Sequence, residues 1–591
     1  MKFLKTFLAA LLAVIAGSFL TGILWLLVLV GIAGSMDTPT VVAPNSILVI
    51  DLNEDITDTP NNNPFTQIDF STMNVRTSLS LYSALRAIDA AKDDDRIKGI
   101  YLRPNGTGAV SATTLEELRA AVEEFKESGK FVVSYNETYS QFGYYLASVA
   151  DKIYMQPEGG MMWQGLTFNL AFYKGLLDKL EIQPEIFRPT ACKYKSAVEP
   201  YFLTRMSDAN RHQMSELAES MWATVTEAVS QSRGISVRRL NKLADELAIN
   251  LPEDAVKYGF VDSLIYEDEM NAIFAEYGVE ADKKGEYEFV TLGEYASQVA
   301  ADTNFSADKI AVVYAEGQIV DGEGSGEEIY GNTLAETIKS VRLDDKVKAV
   351  VVRVNSPGGS ALASDIIWRE MELLKAEKPV VVSMGSYAAS GGYYISAPAD
   401  VIVADRLTLT GSIGVFGMFM NYGKLLDNKL GITFDGVNTN AYSDFGSAVR
   451  PINYVERNAI MRSVDKVYDR FTGLVSEGRN LPLNKVLDIA GGRVWSGVDA
   501  QNIGLADTCG GLKAAIAIAA DKAELGDTFR VSEIVEEPEG FMAIFSSLNA
   551  QIRERELRNE LGDVYSQYRK VKEVLLKNGV QAYCPYQFIF E

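Results

Sequence analysis

The chain has 591 residues, which is too many for one hydrophobic core, so two or more domains are expected. Its formal net charge of −23 and its pI near 4.7 argue against a nucleic-acid-binding protein, because phosphates demand a basic face. Only three cysteines occur, without CxxC spacing, and this pattern predicts neither a disulfide framework nor a zinc site.

The N-terminus carries a long apolar run. No charged residue occurs from Thr6 to Met36, a stretch of 31 residues, whereas a membrane-spanning helix needs only about 20. Signal-peptide cores are shorter, about 7–15 residues, so residues 1–37 are predicted to be a cytoplasmic N-terminus and a retained transmembrane anchor. Lys2 and Lys5 precede the run, which predicts that the rest of the chain lies outside the cytoplasm.

The remainder of the chain is an internal duplication. Similar segments recur about 250 positions apart: residues 150–153 with 399–402, 173–178 with 422–427, and 196–200 with 447–451. We predict a first repeat at 45–280, a linker at 281–307, a second repeat at 308–525 and a helical tail at 541–591.

Each repeat alternates apolar strands with helices. The predicted strands lie at 46–50, 98–102, 131–134 and 152–155 in the first repeat, and at 309–313, 347–354, 379–383 and 401–404 in the second. Helical periodicity covers residues 113–127 and 360–376. Buried strands that alternate with helices are typical of a parallel sheet with right-handed crossovers, so the fold class is predicted to be α/β.

The two repeats differ at two positions that could carry chemistry. In the alignment of the repeats, Ser412 corresponds to Trp163, and Lys195 corresponds to Gly446. One half therefore has a hydroxyl without an amine, and the other has an amine without a hydroxyl. Because a serine nucleophile needs an adjacent base, we hypothesise a Ser/Lys pair divided between the repeats.

A lysine base must be neutral, so burial has to lower its pKa. A carboxylate at Glu199, four residues after Lys195, would raise the pKa of the lysine, although Pro200 biases Glu199 away from helical geometry. A Ser-His-Asp triad stays open only through His212, the single histidine, which lies in a polar, helix-like stretch.

Glycine-rich segments could supply amides to a developing oxyanion and approach a substrate backbone closely. Gly358 and Gly359 lie between a predicted strand and a helix, and Ile413 follows Ser412 in a Gly-Ser-Ile-Gly turn. The amides of these three residues are the candidate oxyanion and substrate-backbone donors.

Four motifs in this chain resemble one known family. They are Lys-Ser-Ala-Val-Glu-Pro at 195–200, Asn-Ser-Pro-Gly-Gly at 355–359, Ser-Gly-Gly-Tyr-Tyr at 390–394 and Thr-Gly-Ser-Ile-Gly at 410–414. Together they resemble the signal peptide peptidase A (protease IV) family in its long, duplicated form. The resemblance covers the chain from the anchor to about residue 530, and the tail after Phe541 lies outside it.

The resemblance implies tandem ClpP/crotonase-like repeats behind an N-terminal transmembrane helix. It implies a membrane-anchored serine endopeptidase that degrades cleaved signal peptides, with Ser412 as nucleophile and Lys195 as general base. No metal or cofactor is expected. The implied location is the cell inner membrane, single-pass, with the catalytic region periplasmic, and the implied assembly is a homotetramer.

Expected partners are signal-peptide remnants, other extended apolar peptides and membrane lipid, with no nucleic acid. Two other functions remain open. One is a crotonase-type acyl-CoA enzyme, against which the anchor and the lack of an evident basic site for CoA phosphates both count. The other is a non-catalytic membrane scaffold that only forms rings, in which Ser412 and Lys195 would be dispensable.

Overall fold

The computed structural model describes residues 17–22, 42–60, 68–69, 74–75, 78–105, 110–299, 308–326, 328–526, 529–535, 557, 565 and 579–584. Of the predicted anchor it includes only residues 17–22, which are helical, and the rest of that prediction lies outside the described residues. Within these ranges, no helix combines the length and the apolar character needed to cross a bilayer.

The first half is built on a parallel sheet. Its strands, in spatial order, are Ser263–Leu264, Lys152–Met161, Phe131–Tyr139, Ile97–Arg103, Ser46–Asp51 and Phe289–Thr291. Two small strand pairs form separate two-stranded sheets, Ile56–Thr57 with Leu79–Ser80 and Ile68–Asp69 with Asn74–Val75. The helices are Leu81–Asp93, Ala112–Lys126, Gln141–Ala147, Lys174–Leu180, Glu199–Phe202, Asp208–Arg233, Val237–Asp245, Pro252–Lys257, Met270–Glu276 and Leu292–Gln298, with short 3-10 turns at Ser196–Val198 and Glu267–Glu269.

The second half repeats this arrangement. Its main strands, in spatial order, are Val494–Ser496, Leu409–Gly411, Val380–Ala389, Val347–Ser356, Asp308–Glu316 and Phe529–Ile534, and Val401–Ala404 pairs with both Val380–Ala389 and Thr508–Cys509. Helices lie at Gly331–Leu343, Ala361–Lys375, Gly391–Ser396, Tyr454–Gly478, Leu483–Ile489, Gly497–Ile503 and Leu512–Lys522, with a π turn at Leu425–Lys429. The α/β class is therefore confirmed.

The central elements form where the sequence pattern predicts them. The Val347–Ser356 strand is rich in valine and, apart from Lys348 and Asn355, is buried on both faces, as a central parallel strand requires. The Ala361–Lys375 helix begins after Ser360, whose side chain accepts a hydrogen bond from the Ala363 amide. Boundaries shift by a few residues, because strand ends depend on pairing partners that lie far away in the chain.

Two regions differ from the sequence-based expectation. Residues 289–298, inside the predicted linker, form a strand and a helix, and the strand pairs with Ser46–Asp51 in the first-half sheet. Near the end of the tail that was predicted to be helical, Gly579–Tyr583 is a strand.

A further sheet, which we call the joining sheet, connects the halves. Its strands, in spatial order, are Ile329–Tyr330, Ile319–Val320, Gly358–Ser360, Gly579–Tyr583, Phe416–Asn421 and Gln183–Phe187. The last of these belongs to the first half and pairs antiparallel with Phe416–Asn421 of the second. The chain that follows it therefore runs along the second half, and Lys195 lies in that segment.

A buried ion cluster also joins the halves. Arg353 is fully buried, and its Nη2 lies 2.9 Å from Asp58 Oδ1 and 2.8 Å from Glu117 Oε1. Glu117 Oε2 accepts a hydrogen bond of 2.6 Å from the Leu512 amide. Since Asp58 and Glu117 belong to the first half and Arg353 and Leu512 to the second, this charge pairing fixes one half against the other.

Candidate active site

The structure brings together the two residues that the repeat comparison singled out. Lys195 Nζ lies 2.9 Å from Ser412 Oγ and 2.8 Å from the Ser412 carbonyl oxygen. It also lies 2.6 Å from Ser390 Oγ. Lys195 is 1% exposed and Ser412 is 2% exposed, so the amine and the hydroxyl meet in a site that excludes most solvent.

Backbone contacts from both halves position Lys195. The Tyr194 amide donates to Gly491 O at 2.8 Å, and Arg188 Nη1 donates to Lys195 O at 2.9 Å. Gly492, with φ of +80°, packs directly on Lys195: a Cβ built on this glycine would lie 2.6 Å from Lys195 Cβ. Glycine is therefore required there for conformation and for space.

Both serines have strained backbone conformations. Ser412 follows the Leu409–Gly411 strand with φ of +52°, and Ser390 has φ of +56° and ψ of −112°. Left-handed geometry costs a non-glycine residue roughly 1–2 kcal/mol, so surrounding bonds must maintain it. The Ser412 amide donates to Arg493 O at 2.7 Å, and the Ser390 amide donates to Gly411 O at 2.8 Å. These bonds hold both hydroxyls toward Lys195.

Burial lowers the pKa of Lys195 to about 8, and the nearby Cys584 and Cys192 thiols oppose this shift. Glu199 does not act on it, because its carboxylate is bonded elsewhere. Glu199 Oε2 accepts from Asn210 Nδ2 at 2.9 Å and from the Ser207 amide at 3.1 Å. A substantial fraction of Lys195 is therefore neutral near pH 8, and a neutral amine can accept the proton of Ser412.

Of the predicted oxyanion donors, Ile413 directly follows Ser412, and Gly358 lies against the neighbours of Ser390: a Cβ built on Gly358 would lie 2.5 Å from Gly391 N and 2.9 Å from Ala389 O. Gly358 and Gly359 form part of the joining sheet, and the Gly358 amide donates to Ser356 Oγ at 3.2 Å. The Ile413 amide makes no hydrogen bond to another described residue. Ile413 therefore has a backbone donor, immediately after Ser412, with no acceptor among the described residues, while the Gly358 amide is already engaged.

The first half has no equivalent open site. Trp163, the counterpart of Ser412, is buried, and its Nε1 donates to Leu240 O at 3.0 Å. Gln141 stands where the second half has Ser390, and its Oε1 accepts from the amides of Gln164 and Gly165, both at 3.0 Å. Large, internally satisfied side chains thus fill the corresponding space.

His212 is not part of the site. It lies on the Asp208–Arg233 helix with its side chain 50% exposed, and its Nδ1 is 3.9 Å from Glu216. The side chain that contacts Ser412 Oγ is Lys195, so no contact in the described structure supports the triad that would have needed His212. No group of three or more His, Cys, Asp or Glu side chains in the described part of the chain is arranged to hold a metal ion.

Sequence reasoning missed one polar residue of the site, Ser390. The sequence singled out its motif at 390–394 only as part of the family resemblance, with no role for the serine. The available signal was its alignment with Gln141, since a serine for glutamine exchange accompanies the exchange of Trp163 for Ser412.

The model of peptidase family S49 matches residues 124–282 and again 372–526. Protease 4 of Salmonella typhi is 38% identical over 484 residues, which are 80% of this chain and 77% of that protein. Protease 4 of Haemophilus influenzae is 38% identical over 449 residues, or 74% of this chain and 72% of that one. Serine protease SPPA, chloroplastic, of Arabidopsis thaliana is 34% identical over 73% of this chain and 64% of its own length.

Among solved structures, a mutant ClpP1 from Listeria monocytogenes covers 35% of this chain and 94% of its own, with 14% identity and a TM-score of 0.24. That similarity is too low to carry an argument about this chain.

Proposed function

Because this chain belongs to peptidase family S49 and is a serine peptidase, we propose that it cleaves internal peptide bonds with a Ser412/Lys195 dyad. The observation that carries the proposal is the 2.9 Å contact between Lys195 Nζ and Ser412 Oγ in a buried site. That distance is within the reach of a general base.

In the proposed reaction, neutral Lys195 accepts the Ser412 proton as Oγ attacks the carbonyl carbon of the substrate. The resulting ammonium gives this proton to the leaving amine, and an acyl-serine remains. Water then attacks the acyl-serine, again with Lys195 as base, and Ser412 regains its proton. Ser390 Oγ and the Ser412 carbonyl oxygen orient the amine throughout, because both lie within 2.8 Å of it.

The developing oxyanion is stabilised by the Ile413 amide, with Gly358 and Gly359 supporting the substrate backbone. Preorganised backbone donors at such a position are commonly worth about 3 kcal/mol in the transition state. The Ile413 amide has no acceptor within the described ranges and the Gly358 amide is engaged, which favours Ile413 as the principal contributor.

The proposed substrates are extended, apolar peptides, with remnants of cleaved signal peptides as the physiological class. Two observations support this. The joining sheet presents Gly358–Ser360 and Phe416–Asn421 on either side of a single strand, a geometry that binds an extended peptide by main-chain pairing. Apolar side chains line one side of it, including Phe416, Met418 and Met420.

We further propose that the apolar run at 6–36 anchors the protein in the cell inner membrane, with its N-terminus cytoplasmic and its catalytic region periplasmic. The support is the length of the run and the position of Lys2 and Lys5. Contact with membrane lipid follows from the anchor, and it would concentrate membrane-derived peptides near the site.

The duplication supports a head-to-tail homo-oligomer, for which we propose a tetramer. Within one chain, Gln183–Phe187 of the first half pairs with Phe416–Asn421 of the second. In the alignment of the repeats, Gln183–Phe187 corresponds to residues near 432–437 of the second half. This segment is exposed, with Phe434 at 58% and Val437 at 99%. In the same alignment, Phe416–Asn421 corresponds to residues near 167–172 of the first half, which belong to no strand in the structure as described. Pairing these two segments between copies would repeat the contact and close a ring.

The proposed activity is tested by hydrolysis of a Leu-rich fluorogenic peptide by the full chain in detergent. Wild type is compared with Ser412→Ala and Lys195→Ala, and both variants are expected to lose at least about a thousandfold in kcat/KM. Wild-type rates in both variants would exclude the dyad. An inactive wild type that still assembles would favour the non-catalytic scaffold, and acyl-CoA turnover would favour the crotonase-type enzyme.

A further inference from the structure

The Asp208–Arg233 helix of the first half packs on the Val494–Ser496 strand of the second half. In this contact, Ser220 Oγ lies 2.7 Å from Ser496 Oγ. Gln213 lies two turns earlier on the same face of the helix, because residues seven positions apart are aligned along a helix. The helix therefore joins the two halves, in addition to the joining sheet and the ion cluster.

The side chain of Gln213 forms hydrogen bonds with both halves. Its Oε1 accepts from the Val494 amide of the second half at 3.2 Å. Its Nε2 donates to Ser196 Oγ at 2.7 Å and to Tyr194 O at 3.1 Å, in the first half. Gln213 is 1% exposed, so water does not compete for these bonds. One buried carboxamide thus binds both chain neighbours of Lys195 and a strand of the other half.

Val494 belongs to the segment that supports the nucleophile. It pairs with Gly411, the residue before Ser412. The Ser412 amide donates to the carbonyl of Arg493, the residue before Val494, at 2.7 Å. A displacement of Val494 would therefore displace the backbone of Ser412.

Two buried side chains behind Gln213 keep its carboxamide in one orientation. Asn210 Oδ1 accepts from Gln213 Nε2 at 3.2 Å, and Asn210 Nδ2 donates to Glu199 Oε2 at 2.9 Å. Asn210 is 0% exposed and Glu199 is 1% exposed. The Val494 amide can only donate and the Tyr194 carbonyl can only accept, so a flipped carboxamide would lose both bonds.

We propose that Gln213 is a positioning residue, whose carboxamide aligns the segment that carries Lys195 with the segment that supports Ser412. The inference rests on the proposed function and extends it to a residue outside the four sequence motifs. A general base must stay within about 2.6–3.2 Å of the atom whose proton it takes. The two groups of the dyad come from different halves, so a side chain that bonds to both supports keeps them within this distance.

Steady-state kinetics of Gln213→Met with the fluorogenic reporter peptide tests this role. Methionine is close to glutamine in size and lacks the carboxamide. We expect kcat to fall at least tenfold with KM within twofold of wild type, because the alignment matters in the transition state. Gln141→Met is the matched control, since Gln141 is 6% exposed and its carboxamide bonds to the backbone of Gln164 and Gly165. It should keep wild-type kcat and KM.

A double-mutant cycle separates positioning from a general loosening of the fold. Modification of Ser412 by a fluorophosphonate, which requires no extended substrate, is timed in wild type, Gln213→Met, Lys195→Ala and the double variant. Gln213→Met should slow modification at least tenfold when Lys195 is present and less than twofold when it is absent, because the carboxamide acts by aligning the amine. Equal losses in the two backgrounds would give Gln213 a purely structural role and overturn the inference.

Hydrogen exchange at the Val494 amide tests the contact without any need for activity. Exchange should be at least tenfold faster in Gln213→Met than in wild type, and unchanged in Gln141→Met. Gln213→Asn, whose carboxamide is one methylene too short to bond to both halves, replaces Gln213→Met in every assay if the methionine variant does not fold. Unchanged exchange would overturn the inference.

The kinetic outcomes distinguish this inference from the proposed function. If Gln213→Met keeps wild-type kcat, or if only KM changes, the inference is wrong and the dyad stands. If wild type neither hydrolyses the reporter nor reacts with the fluorophosphonate, the proposed function fails, and the positioning role fails with it.

Discussion

Lys195 and Ser412 are 217 positions apart in the chain, yet Lys195 Nζ lies 2.9 Å from Ser412 Oγ. The contact exists because a segment of the first half pairs with a strand of the second and carries Lys195 across. Each half therefore supplies one side chain of this contact.

Lys195 should reduce the stability of the folded protein at neutral pH. Its pKa is about 8 in the folded state against 10.5 ordinarily, so burial disfavours the charged form. At pH 7 Lys195 is protonated in both the folded and the unfolded chain, so the cost of burying its ammonium group is fully present. Between about pH 8 and 10.5 the unfolded chain holds a proton that the folded chain lacks, so the free energy of unfolding rises with pH. Lys195→Met should raise the free energy of unfolding at pH 7 by roughly 3 kcal/mol, and the gain should shrink toward pH 10.5.

Urea unfolding at several pH values measures this effect. Lys193→Met is the control, because Lys193 is exposed and its replacement should cause no pH-dependent change. If the Lys195→Met protein were less stable than wild type at pH 7, burial of the charged amine would not be reducing the stability of the fold.

Ser390 should position the amine and tune its pKa. Its Oγ accepts a 2.6 Å hydrogen bond from Lys195 Nζ, which favours the charged amine. Ser390→Ala should lower kcat about tenfold and move the rising limb of the pH–rate profile to lower pH. Ser396→Ala is the control, since Ser396 is equally buried and its Oγ donates to Gly392 O. If the rising limb of the Ser390→Ala pH–rate profile stayed at the wild-type pH, Ser390 would have only a packing role.

Gly492 should matter for activity because it packs on Lys195. Gly492→Ala places a methyl group against Lys195 Cβ, whereas a Cβ at Gly129 would meet no atom within 4 Å. The two glycines have φ of +80° and +79°, so alanine costs each about the same backbone strain, roughly 1 kcal/mol. Gly492→Ala should reduce kcat/KM at least tenfold, and Gly129→Ala should not, in the same peptide assay. Equal activity of the two variants would show that Lys195 is not sensitive to its backbone support.

Arg353 should be essential to the joining of the halves. Its removal in Arg353→Met leaves Asp58 and Glu117 buried without their cation, which typically costs 3–5 kcal/mol. The urea midpoint should fall accordingly. Adding Asp58→Asn and Glu117→Gln should recover much of the loss, because the uncompensated charges are then gone. A single variant as stable as wild type would contradict this account of the interface.

The assembly proposal is tested on the exposed segment of the second half. Val437→Asp should yield a smaller particle in mass photometry, because it puts a charge into the proposed contact between copies. Leu343→Asp is the control at an exposed leucine outside that segment. The proposal fails if both variants assemble as wild type does.

The sequence located Ser412 and Lys195 because each interrupts the similarity between the repeats, and periodicity located the central strands within a few residues. It did not locate Ser390, because a serine in a glycine-rich motif is indistinguishable from a turn residue until its φ of +56° and its contact with Lys195 are known. The strand at Gly579–Tyr583 was also missed, since its partners lie more than 160 positions away and no local pattern encodes them. Glu199 was expected to raise the pKa of Lys195, but its carboxylate accepts hydrogen bonds from Ser207 and Asn210 instead.

The pH dependence of kcat/KM for wild-type protein, measured with the reporter peptide from pH 6 to 10, tests the dyad most directly. Lys195 must lose its proton before it can act as base, and its pKa is about 8. The rate constant should therefore rise about tenfold per pH unit below pH 8 and level off above it. A flat profile from pH 6 to 9 would contradict a lysine base.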